Sequence, residues 1–332
     1  MNDKAGKVIK YLLSLAVAAV LVYLAFRGTD WRDFFNSLAA TDWWLVILSM
    51  IAGVVALVFR AERWRSQLLA LDTEIGRHSV WHGSNIGNFL NVVVPGIGEF
   101  YRCAHVSTKK ASYDKTLGTI LMERSWDVLA IVFLLVLAAV LNTDTIVPFM
   151  KDNVIGPFSS RFDFSLWWVL GAFAVVLVIA FAVVFRCREK SRVCGRLAGW
   201  ICGMARGFAA FGKMRRKGLF VLYTVGIWMM YIFVTYLTFL ALPGLAGLTF
   251  ADAIFISAIG NIASVIPTPG NIGPYHYLVG LAISTIYLGS ASMTADGLLC
   301  ATLSHGSHAI LVILLGVVSY LGISFSRKQQ RD

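Results

Sequence analysis

Residues 116–141 read TLGTILMERSWDVLAIVFLLVLAAVL, an apolar run broken only by Glu123-Arg124-Ser125-Trp126-Asp127. About 20 helical residues suffice to cross the hydrocarbon core of a bilayer, so this run is long enough to span one. Ionised side chains at that depth are costly. They face protein or water and pair with one another. Glu123 and Asp127 are four apart and share a helix face; Arg124 and Asp127 are three apart and can also meet. The stretch therefore predicts both a membrane fold and a polar site within it.

The rest of the chain agrees. Of its 332 residues, 58% are hydrophobic and 14% are charged, against about a quarter charged in ordinary soluble domains. A soluble core of this length cannot hide that much apolar surface. A soluble enzyme, a disordered chain and a secreted disulfide scaffold are excluded. Six stretches predict full spans: Val8–Phe26, Trp43–Phe59, Thr116–Leu141, Phe164–Phe185, Gly218–Leu242 and Gly297–Ile323. Two further apolar stretches are interrupted. His78–Phe100 carries Pro95, Gly96 and Gly98; Ala251–Gly289 carries Pro267, Pro269, Gly270 and Gly273. Pro and Gly at this density break the helical ladder. Backbone freed at membrane depth survives only inside protein or beside water, so both stretches are expected to be re-entrant or broken-helix hairpins. The predicted fold class is an all-α polytopic membrane protein.

Charge orients the chain. The net charge is +11, and 24 of the 29 Lys and Arg fall in the termini and in the segments 60–77, 102–115 and 186–217. Lys and Arg accumulate on the cytoplasmic side, so these segments and both termini are expected there, leaving Arg27, Arg32, Lys151 and Arg161 outside. The charge then reads as a cytoplasmic collar and not as a nucleic-acid surface. Within it, 188–211 is basic and amphipathic, which suits an interfacial helix on anionic lipid. With these directions, residues 1–163 and 164–332 form two halves of opposite topology, an arrangement found in many secondary transporters. Ser84-Asn-Ile-Gly-Asn88 echoes Ser257-Ala-Ile-Gly-Asn261 at corresponding points.

Candidate binding residues follow from the same halves. In the first, Glu99, Arg102, Glu123, Arg124 and Asp127 are expected to form a half-site for an anionic group, with Asn88 on the broken hairpin. In the second, the turn offers Asn261, Asn271, Tyr275 and His276, and the last span offers His305 and His308 where the first half has Glu123–Asp127. Imidazole changes charge near neutral pH, so these His suit a titrating or headgroup role better than a metal. No nucleotide loop, dinucleotide fingerprint or metalloprotease motif occurs. No cofactor or metal, and no enzymatic activity, is expected.

The Pro95-Gly-Ile-Gly-Glu99-x-x-Arg102 turn, the Glu123-Arg124…Asp127 cluster and the later Pro-x-Pro-Gly-x-x-Gly turn resemble the lysylphosphatidylglycerol synthase transmembrane-region family, over about residues 8–325. The resemblance implies a flippase-like protein of the bacterial inner membrane that moves a lipid or lipid-linked headgroup by alternating access. Membrane lipids are its expected partners, with a homo-oligomer or an envelope enzyme as further possibilities. The family commonly has a Gly-Gly-x-Gly turn followed by Glu, and an Arg in the last span. Here Pro274-Tyr275-His276 and His305 stand at those points, which suggests a headgroup other than lysyl-lipid. The rival readings are a membrane-embedded transferase acting on a lipid carrier and a non-transporting scaffold.

Overall fold

The computed structural model describes residues 3–143, 216–290 and 292–329, with scattered positions between 182 and 214. Most of the expected span Phe164–Phe185 and most of the expected amphipathic helix 188–211 lie outside the described residues.

All elements among the described residues are helical. Helix α1 (Asp3–Phe26) is followed by α2 (Trp31–Ala39), bent 85° from it. Gly28, at φ 78°, turns the chain, and the Asp30 carboxylate accepts from the Arg32 and Asp33 N–H groups to start α2. The sequence reading places this segment in an outer loop; a sound N-cap, the stacking of Phe26 on Trp31 and the edge-on contacts of Trp31 with Phe34 and of Phe34 with Phe35 make it a helix. Helix α3 (Trp43–Leu68) is capped by Asp42. Helices α4 (Arg77–Val93) and α5 (Ile97–Val106) form the first hairpin. Val94 is extended ahead of Pro95, as steric conflict with the proline ring requires. Gly96 then adopts φ 83°. Helix α6 (Tyr113–Leu141) follows.

Beyond the undescribed segment come α7 (Lys217–Ala241), α8 (Phe250–Ala263) with a Thr249–Asp252 capping box, α9 (Pro274–Ala282) and α10 (Ala295–Gln329). A short 3-10 turn, Pro269–Asn271, separates α8 from α9. Helices α3, α6, α7 and Ala295–Phe325 of α10 are long and apolar enough to cross a membrane, and α1 with α2 makes a fifth crossing if the bent pair counts as one.

One sequence expectation is corrected here. Arg60 and Arg63 are expected in a solvated collar because the apolar run ends at Phe59, and Arg102 is expected both at the edge of that collar and in the half-site. Instead α3 continues to Leu68, and Arg63 and Arg102 are only 1% and 5% exposed. Opposite charges on α6 let the helix carry arginine into the protein interior.

Packing follows a paired scheme. Helices α3 and α7 run antiparallel side by side: Asp42 donates its N–H to the Ala241 carbonyl at one end, and Arg63 lies over the Phe220 ring near the other. The start of α4 packs on the end of α10, where Asn85 Nδ2 donates to Ser319 Oγ at 3.1 Å. The start of α8 packs on the end of α6, where Asn142 Nδ2 donates to the Ala251 carbonyl at 3.0 Å. The first arm of each hairpin thus lies against a long apolar helix from a distant part of the chain, α4 on α10 and α8 on α6.

The arms of the first hairpin cross at glycine. A Cβ on Gly98 would overlap the Gly87 backbone, while the Gly98 N–H donates to Asn91 Oδ1 at 2.8 Å. Gly98→Ala must push two backbones apart. It is expected to lower the thermal stability of the purified protein by about 1–3 kcal/mol, the usual cost of overpacking. Gly118→Ala, facing open space, serves as the control.

The basic end of the bundle carries a second tie. The Thr108 hydroxyl donates to Asp72 Oδ2 at 2.7 Å and joins the loop after α3 to the loop after α5. This bond, with the Glu74 N–H, holds the Asp72 carboxyl below the ordinary carboxylate range. A depressed carboxylate stabilises the fold above its unfolded pKa, and the contribution disappears as pH falls through the folded value. Amide exchange around residues 72–74 and 108–111 is therefore expected to speed up on acidification. Asp72→Asn should remove that pH dependence.

Candidate functional site

Two polar assemblies lie side by side in the bundle. The first is a buried ion-pair cluster between α3, α5 and α6. Arg63 Nη1 bonds Asp127 Oδ1 at 2.8 Å and its Nε lies 3.6 Å from Glu123 Oε1. Arg102 Nη2 bonds the other Glu123 oxygen at 3.1 Å. The Arg102 guanidinium sits 4.1 Å from the Trp64 ring centre, and Trp64 Nε1 donates to Thr119 Oγ1. Charge, cation–π contact and hydrogen bond together satisfy groups that hydrocarbon could not. Arg124 pairs with Glu99 at the more open edge, where half the Arg124 side chain is exposed.

The second assembly is a cavity of about 350 Å³ where the two hairpins meet α3, α7 and α10. The Pro269–Asn271 turn packs on the end of α4, with Gly270 facing Val92. Asn88 and Asn91 enter from the first hairpin, and Asn261, Asn271 and Tyr275 from the second. From α10 come Ser304, His305 and His308. Tyr275 shares a hydrogen bond with Ser304 at 2.9 Å and stacks on the His305 ring at 5.0 Å. Asn271 Nδ2 donates to Ser264 Oγ, leaving its buried Oδ1 without a partner among the described residues.

Arg60 joins the two assemblies. It lies three residues before Arg63 on α3, lines the cavity and donates to the Tyr231 hydroxyl at 3.0 Å. Four arginines (60, 63, 102 and 124) stand near three carboxylates (99, 123 and 127), and the ion pairs among them are made by Arg63, Arg102 and Arg124. Arg60 is left without a carboxylate among the described residues.

The structure thus groups the expected residues differently from their order along the chain. Asn88, Asn261, Asn271, Tyr275, His305 and His308 line one cavity. His276 lies behind it, its ring 5.1 Å from that of His305 and 6.2 Å from Phe26. Glu99, Arg102, Glu123, Arg124 and Asp127 are held together, but in the ion-pair cluster beside the cavity. Glu99 and Arg102 each pair with α6 and not with one another. Pro95, Gly96, Pro267 and Gly270 are at the cavity wall; Pro269 and Gly273 shape the second turn. Sequence reasoning did not single out Arg60, Asn91 or Tyr231. The available signal for Arg60 was its i, i+3 spacing to Arg63 directly after an apolar run.

A bundle of membrane-length helices closed around a polar, singly charged cavity defines a multi-pass membrane protein with an internal site. The chain belongs to the family described as the lysylphosphatidylglycerol synthase TM region, which matches residues 11–316. It is also similar to the UPF0104 membrane protein PH1989 of Pyrococcus horikoshii, at 23% identity over 283 residues, covering 80% of this chain and 83% of that protein. No solved structure matches it.

Proposed function

We propose that this protein is a translocator that moves a lipid or lipid-linked headgroup across the bacterial inner membrane by alternating access, and that it is not an enzyme. One observation carries the reading: two broken helical hairpins meet at a polar cavity inside a membrane domain, with an arginine lacking a carboxylate partner at its wall. Broken helices framing a site near the middle of the bundle are a recurrent transporter device. A headgroup would leave water for this cavity while its acyl chains stayed in lipid.

In this reading the chain has six full spans and two oppositely facing re-entrant hairpins, in halves 1–163 and 164–332 related by inverted topology. The exchanged packing supports it, since α3 lies antiparallel to α7 and each hairpin's first arm contacts the other half's last helix. The distribution of charge supports cytoplasmic termini: Arg65, Arg77, Lys109, Lys110, Lys115 and Lys217 gather at one end of the bundle. Cysteines placed at the exposed Thr73 and Gly247 test this orientation. An impermeant maleimide applied to intact cells is expected to label Gly247→Cys only; labelling of Thr73→Cys would overturn the topology.

The function itself is tested in vesicles containing a fluorescent phospholipid. With the protein reconstituted, an added impermeant reductant is expected to bleach well beyond the outer-leaflet half. Bleaching that stops at half for every lipid offered would overturn the translocator reading. A new lipid species in the extract would favour a transferase instead.

A further inference from the structure

Resting on that reading, we infer that the cavity selects a headgroup with a single negative charge and free hydroxyls, a phosphodiester-linked polyol, and rejects cationic headgroups. Among the described residues, the lining contains one ionised side chain, Arg60, and no carboxylate. The nearest acids, Glu123 and Asp127, are already held by Arg63 and Arg102. A primary amine or lysyl group entering here would shed its water beside Arg60 and find no counter-ion, which membrane depth penalises. One arginine balances one negative charge, as carried by a phosphodiester. A phosphomonoester near neutral pH would bring a second charge with nothing to meet it.

The remaining lining is neutral and suited to hydroxyls. Asn261 donates one amide N–H to the Ser257 carbonyl and Asn271 donates one to Ser264 Oγ, and the Asn271 carbonyl oxygen stays open to a donor. Asn271 Oδ1 and His305 Nε2 are buried and without partners among the described residues. A phosphodiester has only acceptors and cannot satisfy an amide oxygen. A hydroxyl on the same headgroup can. The requirement for both groups therefore comes from two different elements of the lining: Arg60 on α3 for the phosphate, and Asn271 in the second hairpin turn for the hydroxyl. At about 350 Å³ the cavity stands at the lower end of small-molecule sites, roughly 300–1,000 Å³, which suits a headgroup and not a whole lipid.

Binding to the detergent-purified protein tests this apart from transport. Short-chain phosphatidylglycerol, phosphatidylinositol, phosphatidylethanolamine and lysyl-phosphatidylglycerol are titrated by native mass spectrometry, together with free glycerophosphoglycerol. Phosphatidylglycerol or phosphatidylinositol is expected to bind at least tenfold more tightly than the two amine-bearing lipids. Arg60→Gln should abolish that preference, and Asn271→Leu should weaken the polyol lipids alone. Equal or tighter binding of an amine-bearing lipid by wild type overturns the inference without any variant being needed. If free glycerophosphoglycerol matches the short-chain lipid, the chemistry stands and the lipid source is overturned. Selective binding with no flux in vesicles would overturn the translocator reading and leave this one intact.

Discussion

Arg63→Ala is expected to lower the stability of the purified protein by about 3–5 kcal/mol, the usual cost of removing one partner from a buried ion pair. Arg63 is 1% exposed and bridges Asp127 at 2.8 Å and Glu123 at 3.6 Å. Its loss leaves Asp127 with no ion partner among the described residues, while Glu123 keeps Arg102. The damage therefore concentrates on Asp127. Removing both charges avoids an orphan: Arg63→Met with Asp127→Leu should recover most of the loss, since well-packed apolar replacements of buried pairs are often neutral. Thermal unfolding of wild type, Arg63→Met, Asp127→Leu and the double variant, followed by size-exclusion fluorescence, measures the coupling. If the double variant is as unstable as Arg63→Ala, the contact between α3 and α6 does not rest on this pair. Arg124→Ala should be much milder, because the Arg124 side chain is half exposed.

Arg60→Gln is expected to show the reverse pattern. Hydrogen bonds to a charged group contribute about 1.5–3 kcal/mol. Losing one from a bound anion should therefore reduce affinity and flux roughly ten- to hundredfold. Stability should change by less than about 1 kcal/mol, because Arg60 pairs with no carboxylate among the described residues and its hydrogen-bond partner, the Tyr231 hydroxyl, can bond glutamine instead. Arg60→Lys keeps the charge but loses the planar donor fork, and should fall between the two. Flux in vesicles and thermal unfolding, measured on the same preparations, separate the outcomes. An Arg60→Gln protein with normal flux would remove Arg60 from the site; one that unfolds as readily as Arg63→Ala would make it part of the structural cluster.

Much of this architecture was legible in the sequence because it depends on local rules. Apolar run length marked α3, α6, α7 and α10 as spans. Pro95-Gly96 and Pro267…Gly273 marked the helix breaks, since ring sterics and positive φ act within a few residues. The Glu123–Asp127 cluster announced a polar contact because isolated charges do not survive in hydrocarbon. The same cluster could not name its partners. Arg63 and Arg102 lie 60 and 21 positions before Glu123; Arg63 reads as a loop charge, and Arg102, although grouped with Glu123 in sequence, cannot be assigned to it as an ion partner until α5 is placed against α6. Hydropathy at Arg60 and Arg63 is low whether a residue faces water or a carboxylate on a neighbouring helix. Only the antiparallel contact of α3 with α7 and the meeting of the two hairpin turns turn Arg60 towards the cavity while Arg63, three residues on, is neutralised by Asp127 and Glu123. The sequence by itself marked the four long apolar helices and the Pro/Gly breaks of the two hairpins. Tertiary structure decided which arginine is matched and which is left for a ligand, because that is set by distances between helices that no one-dimensional pattern contains.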